Sequence, residues 1–407
     1  MSLASPLPRT HAPVIATALA ALAAIAVAGA LASGWRLAAA AAIGGVAGVA
    51  LYHAAFGFTS SWRAVVRERR GEGIRAQALL IVATAAVSFP LLAHGAAIGM
   101  PASGYVFPFG IATALGAFLF GLGMQFGAGC GSGTLFAVGG GSTRMVVTLA
   151  AFVAGSFLAT AHLEAWHALP ALPALSLVTL WGPLPAFLAT AGVLTAIAAM
   201  TLVRERAGPA HVPRPMGFVL GGPWSTTVGA LVLAGVGIAT FVVLGRPWGI
   251  TSGFTLWGGK IAHALGVPIE TWPYWSGQMG AVERSVFADA TSVMDFAIIA
   301  GAMLAAGLAG RFAPTIRIGP RDIATALAGG LMMGYGARLA FGCNIGGLVG
   351  GIVSGSLHGW GWLVFGFLGS IAGTYARAGL GIDPPVAHSS GPRHGPVAVA
   401  APERTNP

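Results

Sequence analysis

Long apolar runs separated by short polar connections dominate the pattern of this 407-residue chain. A helix needs about 20 mostly apolar residues to cross a bilayer, and ten runs reach that length. They predict membrane-spanning helices at 13–33, 37–57, 75–97, 104–123, 145–163, 175–202, 225–245, 291–311, 322–341 and 358–377. The stretch 246–290 is punctuated by tryptophan and proline, and it predicts a long loop that contains a short re-entrant or interfacial segment.

The composition agrees with this pattern. Hydrophobic residues make up 56% of the chain and charged residues 8%, and the mean hydropathy is +0.81. Soluble proteins average about 25% charged residues, so this chain cannot cover a water-facing surface. The composition excludes a soluble globular domain. It predicts an all-α polytopic membrane protein with about nine or ten transmembrane helices.

The net charge of +10 comes almost entirely from arginine, because Lys260 is the only lysine. The arginines lie in short loops between apolar runs, which is the positive-inside pattern of membrane proteins rather than a nucleic-acid-binding face. This distribution predicts that both termini are cytoplasmic. We expect a cytoplasmic N-terminus at 1–12, a cytoplasmic linker at 203–224 and a disordered tail at 381–407.

The two cysteines lie in two copies of one glycine-rich phrase. Cys130 and Cys343 are 213 positions apart (343 − 130 = 213), and three glycine pairs keep that offset: Gly123 with Gly336, Gly129 with Gly342, and Gly133 with Gly346. A second echo, GFTSSW at 57–62 and SGFTLW at 252–257, follows spans 2 and 7. Counting spans places each pair at opposite faces of the membrane.

These opposite membrane orientations predict that spans 1–5 and 6–10 form inverted repeats. The cytoplasmic linker divides the membrane domain into 13–202, with the first cysteine, and 225–380, with the second. Inverted repeats place a transporter's substrate site at their interface, near the bilayer midplane. We therefore expect short re-entrant half-helices that meet there.

Each cysteine phrase has the composition of a helix break at membrane depth. Glycine allows positive φ and close backbone approach, and a half-helix that begins after each cysteine has unpaired N–H groups at its start. Two such helix starts predict an anion site. Its residues are Gly129, Cys130, Gly131, Ser132, Gly133, Gly342, Cys343, Asn344 and Gly346. The alternative is that the glycines only permit close helix packing.

The cysteines themselves allow two interpretations. A lone buried cysteine behaves as a small hydrophobe, but two at equivalent positions of a repeat suit a sulfur-bearing ligand, since thiols are soft and polarizable. A helix start favours the thiolate, which would repel an anion, whereas a neutral S–H group can donate a hydrogen bond. The sequence leaves this choice open. The cysteine spacing fits no zinc site, so we expect no metal.

Gln125 and Arg338 stand at matching positions ahead of the two cysteines (338 − 213 = 125). An arginine within a membrane segment is a functional hypothesis by default, and a structural ion pair is the alternative. Both residues are predicted to line the substrate path. Asp295, near one end of span 8, is the best candidate for a buried carboxylate and thus for proton coupling.

At these residues the chain resembles the YeeE/YedE family of sulfur-transport membrane proteins. The resemblance rests on GMQFGAGCGSGTL at 123–135 and on GGLMMGYGARLAFGCNIGGLVGGIVSGSLHGWGW at 329–362, and it covers roughly residues 37–378. It implies an inverted-repeat permease of the bacterial inner membrane for thiosulfate or a related sulfur anion, which is not an enzyme and holds no cofactor. In that family the cysteines lie along the conduction path, a role that falls here on Cys130 and Cys343. Some members are paired with a small cytoplasmic TusA-like sulfur carrier.

The chain departs from that pattern at one place. Some family members carry a further cysteine near the segment that matches GFTSSW, whereas this chain has Thr59, Ser60 and Ser61 there. If three thiols relay the ion in those members, hydroxyl or backbone donors replace one of them here. The departure bears on both the substrate and the rate.

Two other functions fit the same residues. A membrane thiol oxidoreductase would use Cys130 and Cys343 as a redox pair, and a disulfide between them needs Cα atoms within about 7 Å. A non-catalytic membrane anchor for a TusA-like carrier would leave both cysteines dispensable. Uptake of a sulfur anion that depends on the cysteines distinguishes the permease from both.

Overall fold

The computed structural model of the protein describes residues 10–205, 220–314 and 318–382. Almost all regular structure in these ranges is helical. The sheet found there has two strands, β1 (Phe109–Gly110) and β2 (Ala171–Leu172), which pair antiparallel with Phe109 opposite Leu172. The predicted all-α fold class is confirmed.

The first half of the described chain contains both long and short helices. A short 3₁₀ helix, Gly95–Ile98, follows the fourth of them. The α-helices are α1 (Ala12–Ser33), α2 (Trp35–His53), α3 (Phe58–Glu68), α4 (Glu72–His94), α5 (Ile111–Gly127), α6 (Gly131–Gly139), α7 (Thr143–Thr160), α8 (Leu163–His167), α9 (Leu177–Trp181) and α10 (Pro183–Arg204).

The second half has the same mixture of long and short helices. Its α-helices are α11 (Thr226–Leu244), α12 (Thr251–Ala264), α13 (Pro273–Ser276), α14 (Met279–Glu283), α15 (Ala290–Leu308), α16 (Pro320–Leu339), α17 (Gly350–Ile352) and α18 (Leu357–Gly379). A π-helix, Asn344–Val349, runs directly into α17. Two 3₁₀ turns, Ile269–Thr271 and Val286–Ala288, lie in the loop between α12 and α15.

Eight helical segments are long and apolar enough to cross a membrane, and they contain α1, α2, α4, α5, α7, α10, α11 and α15. The last two predicted spans coincide with α16 and α18, which have 20 and 23 residues. At 1.5 Å per residue, both reach the roughly 30 Å of a hydrocarbon core. The protein is therefore a multi-pass membrane protein.

Large apolar side chains cover the outside of the helix bundle. Leu31 of α1 is 85% exposed and Val203 of α10 is 86% exposed. By contrast, 72% of the apolar window of α15 is buried. Apolar side chains at this exposure suit lipid rather than water, so α1 and α10 lie at the periphery and α15 lies in the centre.

Two predicted span starts were wrong. The run 104–123 begins at α5 only with Ile111, because the preceding residues are extended and end in strand β1. The run 175–202 begins too early because Gly182, with φ of 83°, separates the short α9 from α10. Apolar loop residues and apolar helix residues look alike in hydropathy, so the pattern could not separate them.

The sequence also missed helix α3, which lies in a stretch assigned to a cytoplasmic loop. Its buried residues include Phe58, Thr59 and Trp62. A short helix, α12 with 14 residues, lies within 246–290, and its re-entrant or interfacial position in the membrane stays a prediction. The two GFT echoes therefore mark the first turns of two short helices, α3 and α12.

Backbone contact without side chains holds the central helices together. A Cβ atom added at Gly121 of α5 would lie 1.9 Å from the carbonyl oxygen of Gly366 in α18. One added at Gly329 of α16 would lie 2.1 Å from the backbone nitrogen of Gly127. Small residues allow membrane helices to approach this closely, so packing is one role of the glycines.

Helix packing in the two halves follows one scheme. The contact between α5 and α18 matches the contact between α16 and α7. The contact between α4 and α11 matches the contact between α15 and α2. The short helices obey the same scheme, because α3 packs on α4 and α18 and its counterpart α12 packs on α15 and α7. This pairing is the one expected of two repeats, α1–α7 and α10–α18. Their inverted orientation in the membrane stays a prediction.

The predicted boundaries of the two halves also stay a prediction. In the packing scheme α10 contacts α4 as α1 contacts α15, which groups α10 with the second half. Residues 1–9, most of the predicted linker (206–219) and the tail from 383 onward lie outside the described residues.

Candidate functional site at two cysteine turns

Two turns of the same backbone conformation hold the cysteines. Ala128 and Phe341, which are also 213 positions apart (341 − 128 = 213), adopt left-handed conformations with φ of 61° and 58°. Cys130 and Cys343 follow with φ of −89° and −86° and ψ of −166° and −167°. Residues with a side chain seldom adopt left-handed φ, so its recurrence at matching positions indicates that one turn occurs twice.

A helix begins directly after the first cysteine. Cys130 is the residue before α6, and its carbonyl oxygen accepts the N–H of Thr134 at 2.8 Å. The backbone amides of Gly131, Ser132 and Gly133 precede that first helical hydrogen bond, so they point out of the helix start. The partial positive charge of a helix N-terminus adds to them.

A helix also begins directly after the second cysteine, but it is a π-helix. Cys343 precedes the π-helix Asn344–Val349, and its carbonyl oxygen accepts the N–H of Gly347 at 2.7 Å. The amides of Ile345 and Gly346 face the sulfur atom of Cys343. The predicted half-helices are thus present after both cysteines, but the second starts as a π-helix.

The two turns contact each other. A Cβ atom added at Gly131 would lie 3.0 Å from the sulfur of Cys343 and 3.6 Å from a side-chain carbon of Ile250. Both cysteines are free thiols, and their side chains are 1% and 0% exposed. The sulfur of the second turn therefore lies against the helix start of the first, in a space that only glycine leaves open.

Some polar groups beside the cysteines have hydrogen-bond partners among the described residues, and others have none. The hydroxyl of Ser132 lies 3.5 Å from the sulfur of Cys130, and the hydroxyl of Thr134 donates to the Cys130 carbonyl at 2.8 Å. Asn344 is fully buried, and neither polar atom of its side-chain amide has a hydrogen-bond partner among the described residues. A buried amide without partners is costly, so Asn344 is the side chain most suited to receive a polar ligand.

The glycines of the two turns differ in how much space the surrounding structure leaves for a side chain. Gly342 has φ of 148°, and a Cβ atom there would lie 2.4 Å from the backbone nitrogen of Gly347. At Gly129 and Gly133 the nearest atoms would lie 3.2 Å and 3.4 Å away, and at Gly346 the nearest would lie 3.8 Å away. Gly342 is therefore fixed by the fold, whereas Gly346 has space for a methyl group.

Gln125 lies in a different network. Its side chain accepts from Arg63 at 2.9 Å and donates to Ser370 at 2.7 Å and to the carbonyl of Thr59 at 3.2 Å. These contacts join α5 to α3 and α18. The described contacts of Gln125 thus engage its amide fully, away from both thiols.

Arg338 also points to other partners. Its guanidinium donates to the hydroxyl of Tyr274 at 3.0 Å and lies 5.4 Å from the centre of the same ring. The Nε atom of Arg338 is buried, with no partner among the described residues. The structure does not bring Arg338 into described contact with either cysteine.

Two arginines that the sequence did not assign to the site cap the end of α5 just before the Cys130 turn. Arg377 donates to the carbonyl of Gln125 at 2.7 Å, and Arg144 donates to the carbonyl of Phe126 at 2.8 Å. Cations at a helix C-terminus balance its partial negative charge. Arg144 lies at the second position of α7, directly after a glycine cluster, which is the signal that could have placed it there.

Aromatic rings surround the Cys343 turn instead. Phe341 stacks on Phe107, with ring centres 4.6 Å apart and planes 7° apart. His358 meets Phe107 edge-on at 5.2 Å, and its Nδ1 atom lies 2.8 Å from the hydroxyl of Ser356. The two cysteine turns therefore share a backbone but have chemically different surroundings.

The first turn of α12 is the other element that the sequence did not place at the site. Ile250 lies against Gly131, and Gly249 lies 3.8 Å from a Cβ atom built on Gly346. This turn carries the second GFT echo, so the repeat was the available signal. The segment 249–253 therefore touches both cysteine turns.

Long apolar helices around two buried, glycine-lined turns are typical of membrane transport proteins. A family model described as sulphur transport matches residues 53–372, and the chain belongs to that family. The family match covers both cysteine turns.

Three curated relatives are similar to this chain. Two are called probable transporter YedE: that of Salmonella typhimurium is 34% identical over 133 residues, and that of Escherichia coli is 32% identical over 143 residues. These matches cover 32% and 35% of this chain, and the same shares of the two relatives, so the chain matches about a third of their length. The third, the thiosulfate transporter TsuA of Spirochaeta thermophila, is 28% identical over 281 residues, which is 64% of this chain and 76% of that protein.

Proposed function

We propose that the protein is a permease that takes up thiosulfate or a related sulfur-containing anion through a central constriction at the two cysteine turns. The observation that carries the proposal is the contact between them, where the sulfur of Cys343 lies against the helix start at Gly131. Two helix starts and two thiols are then available to one ion. Small sulfur anions are the chemical class that suits both the helix starts, which favour negative charge, and the thiols, which favour sulfur.

The anion is held mainly by neutral donors. The backbone amides of residues 131–133 and of Ile345 and Gly346 supply N–H groups, and the side chain of Asn344 supplies an amide without another partner. Such an arrangement binds an anion without a buried lysine. Cys130 and Cys343 act as neutral S–H donors, since a thiolate at either position would repel the ion. Their soft sulfur favours thiosulfate over a sulfate-like ion.

A hydroxyl takes the place of the further cysteine that some family members carry. Thr59, at the first turn of α3, is 4% exposed, and its hydroxyl has no hydrogen-bond partner among the described residues. Ser61, by contrast, donates to the carbonyl of Gly57 at 2.6 Å. Thr59 is therefore the hydroxyl that replaces the missing thiol in this segment.

The relatives support the proposed substrate. The name of the TsuA relative supports thiosulfate as the substrate, and the sulphur transport family supports a sulfur anion in general. We place the protein in the bacterial inner membrane, with its halves as inverted repeats and a TusA-like carrier as cytoplasmic partner. The shared conformation of the two turns and the common packing scheme support the repeat.

The test is uptake of radiolabelled thiosulfate into proteoliposomes that contain the purified protein. Sulfate, sulfite and selenite serve as competitors. We expect uptake that sulfite or selenite lowers more than sulfate does, and that a thiol reductant leaves unchanged. No uptake of any sulfur anion would exclude the permease, and uptake that requires oxidation of the two cysteines would favour the oxidoreductase.

Cysteine variants test the constriction itself. A hydrogen bond to a charged group contributes about 1.5–3 kcal/mol, so Cys130→Ala or Cys343→Ala should slow uptake by about 10- to 100-fold. Cys130→Ser and Cys343→Ser keep a donor and should retain more activity than the alanine variants. The buried variant Met333→Leu is the matched control, since it changes core packing without a thiol. Normal uptake in both alanine variants would remove the cysteines from the path.

A further inference from the structure

A buried carboxylate lies outside the anion site described above. Asp295, in the second turn of α15, is 0% exposed, and neither of its oxygen atoms has a hydrogen-bond partner among the described residues. An ionised carboxylate without partners in a dry interior is strongly unfavourable, whereas a protonated carboxyl group is tolerated there. The burial of Asp295 therefore indicates a group that holds a proton.

The first turn of α12 forms the wall next to this carboxyl group. A Cβ atom added at Gly253 would lie 2.8 Å from an oxygen of Asp295 and 3.5 Å from the hydroxyl of Ser292. That hydroxyl is engaged elsewhere, because it donates to Asp289 at 2.7 Å and accepts from Trp257 at 2.9 Å. Among the described residues, Asp295 thus has close neighbours but no hydrogen-bond donor that would stabilise its charge.

The same turn of α12 connects Asp295 to the cysteine turns. Just before α12, Gly249 and Ile250 lie against Gly346 and Gly131, and Gly253 in its first turn lies against Asp295 three to four residues later. The charge of Asp295 also acts electrostatically on the sulfur of Cys343. A negative charge on Asp295 would therefore oppose an anion at the cysteine turns, and a proton on Asp295 removes that opposition.

Other charged groups near Asp295 do not neutralise it. On its own helix start, Asp289 carries a like charge. Arg246 attracts the carboxylate, but its guanidinium donates to the hydroxyl groups of Tyr105 at 3.0 Å and Thr291 at 3.1 Å. Among the neighbouring elements, α1, α6 and the 3₁₀ turn at 286–288 contain no ionisable residue.

The remaining ionisable groups lie at the ends of two neighbouring helices. In α12 these are Lys260 and His263, about two and about three turns from Gly253 along the helix. In α2, whose middle packs on α15, they are Arg36, Tyr52 and His53 near the two ends. None of them has a described contact with Asp295.

We propose that Asp295 is a proton-binding site that couples uptake of the anion to uptake of one proton, an inference that rests on the proposed permease function. A water-borne proton adds to the carboxylate oxygen of Asp295 when the anion binds at the cysteine turns, and it leaves to water on the other side when the anion leaves. The O–H bond of the carboxyl group is the bond that forms and later breaks, and each cycle moves one H⁺ with one thiosulfate dianion and so transfers one net negative charge. The exposed hydroxyl of Ser252, which donates to Thr291 at 3.2 Å one turn from Asp295, begins the route to water.

The experiment uses proteoliposomes with radiolabelled thiosulfate and a pH-sensitive dye inside. An outside pH one unit below the inside pH should raise accumulation by up to tenfold for one proton per anion, and the dye should report acidification inside. Asp295→Asn should lose both effects while it still exchanges labelled for unlabelled thiosulfate at equal pH. Asp289→Asn is the matched control, because it removes a carboxylate of the same helix but keeps a good helix cap. It should keep both effects.

The outcomes separate this inference from the function on which it rests. Absence of any sulfur-anion transport by the native protein overturns the permease. Transport in which Asp295→Asn still responds to the pH gradient overturns the coupling alone. Infrared spectra of the native protein at neutral pH provide a readout without transport. A carboxyl band of a protonated side chain, lost in Asp295→Asn, supports the site, and its absence in the native protein contradicts it.

Discussion

Asn344 is a side chain whose placement is unfavourable for folding alone. Both polar atoms of its amide are buried without a partner among the described residues, and each such group costs about 1–3 kcal/mol. An apolar residue of similar size would avoid that cost. Its presence beside Cys343 is therefore understood best through a ligand that completes its hydrogen bonds.

A leucine at this position should separate stability from transport. We expect Asn344→Leu to raise the thermal stability of the detergent-solubilised protein by about 1 kcal/mol, because it removes unpaired polar atoms. The same change should slow thiosulfate uptake by about tenfold or more, because it removes a donor. Melting temperatures and uptake rates check the two effects. A variant that transports normally would show that Asn344 does not meet the anion.

Gly342 tests how strictly the cysteine turn is built. We expect Gly342→Ala to destabilise the protein by about 1–3 kcal/mol, because its φ of 148° disfavours a side chain and the new Cβ atom would meet the backbone at 2.4 Å. Gly346→Ala is the matched control, with space at 3.8 Å, and it should melt close to the native protein. Equal melting temperatures for the two variants would contradict this reading of the turn.

At the scale of elements, the peripheral helix α10 is tied to α4 near the end of the bundle that we predict to be cytoplasmic. Arg75 donates to Glu205 at 2.9 Å and to Thr201 at 3.2 Å. The hydrogen bond from Arg75, with help from the amide of Gly71, lowers the pKa of Glu205. The pair therefore stabilises the folded protein while Glu205 is ionised.

This shift predicts a pH-dependent effect of Glu205→Gln. A carboxyl group with a lowered pKa contributes stability above its ordinary pKa, and that contribution is lost as the pH falls through the lowered value. Near neutral pH the variant should lose up to about 1 kcal/mol, the usual range for a partly exposed pair. The difference in melting temperature should shrink as the pH falls below the ordinary range of glutamate. A difference that grows with acidity would contradict the assignment.

The sequence predicts helices correctly where hydropathy alone determines whether a segment is a long apolar helix. Ten apolar runs became ten long helices, and glycine next to cysteine marked both turns. The short helix α3 was missed because its arginines suggested a loop, although Phe58 and Trp62 are buried. The roles of Gln125 and Arg338 were harder, because whether a polar side chain meets a ligand or another residue depends on neighbours far away in the chain. Their partners, such as Ser370 and Tyr274, carry no local signal.

At the scale of the whole molecule, the orientation of the halves is the prediction with the widest consequence. Glu68 is the last residue of α3, Leu265 directly follows the matching helix α12, and both are exposed. In an inverted repeat they face opposite sides of the membrane. Single cysteines introduced there, Glu68→Cys and Leu265→Cys, should react with a membrane-impermeant maleimide from opposite sides of intact cells or vesicles.

The native protein is the control for this labelling, because its two cysteines are buried and should not react. Labelling of both introduced cysteines from one side would exclude the inverted arrangement. It would leave the family and the helical fold unaffected. Only the description of the two halves would change.

The two sides of the proposed constriction differ in charge, and that difference has a consequence for the direction of transport. Guanidinium groups of Arg63, Arg144 and Arg377 gather next to the Cys130 turn, whereas aromatic rings flank the Cys343 turn. Mobile ions screen exposed charges over about 8–10 Å near physiological salt, but they screen buried charges much less. Arg377 is 7% exposed and the side chain of Arg144 is 18% exposed, so inert salt on either side should change the capture of thiosulfate little. Capture from the arginine side should therefore stay faster than capture from the aromatic side even in concentrated salt, and the protein should behave as a rectifier whose direction of easier flow salt does not reverse.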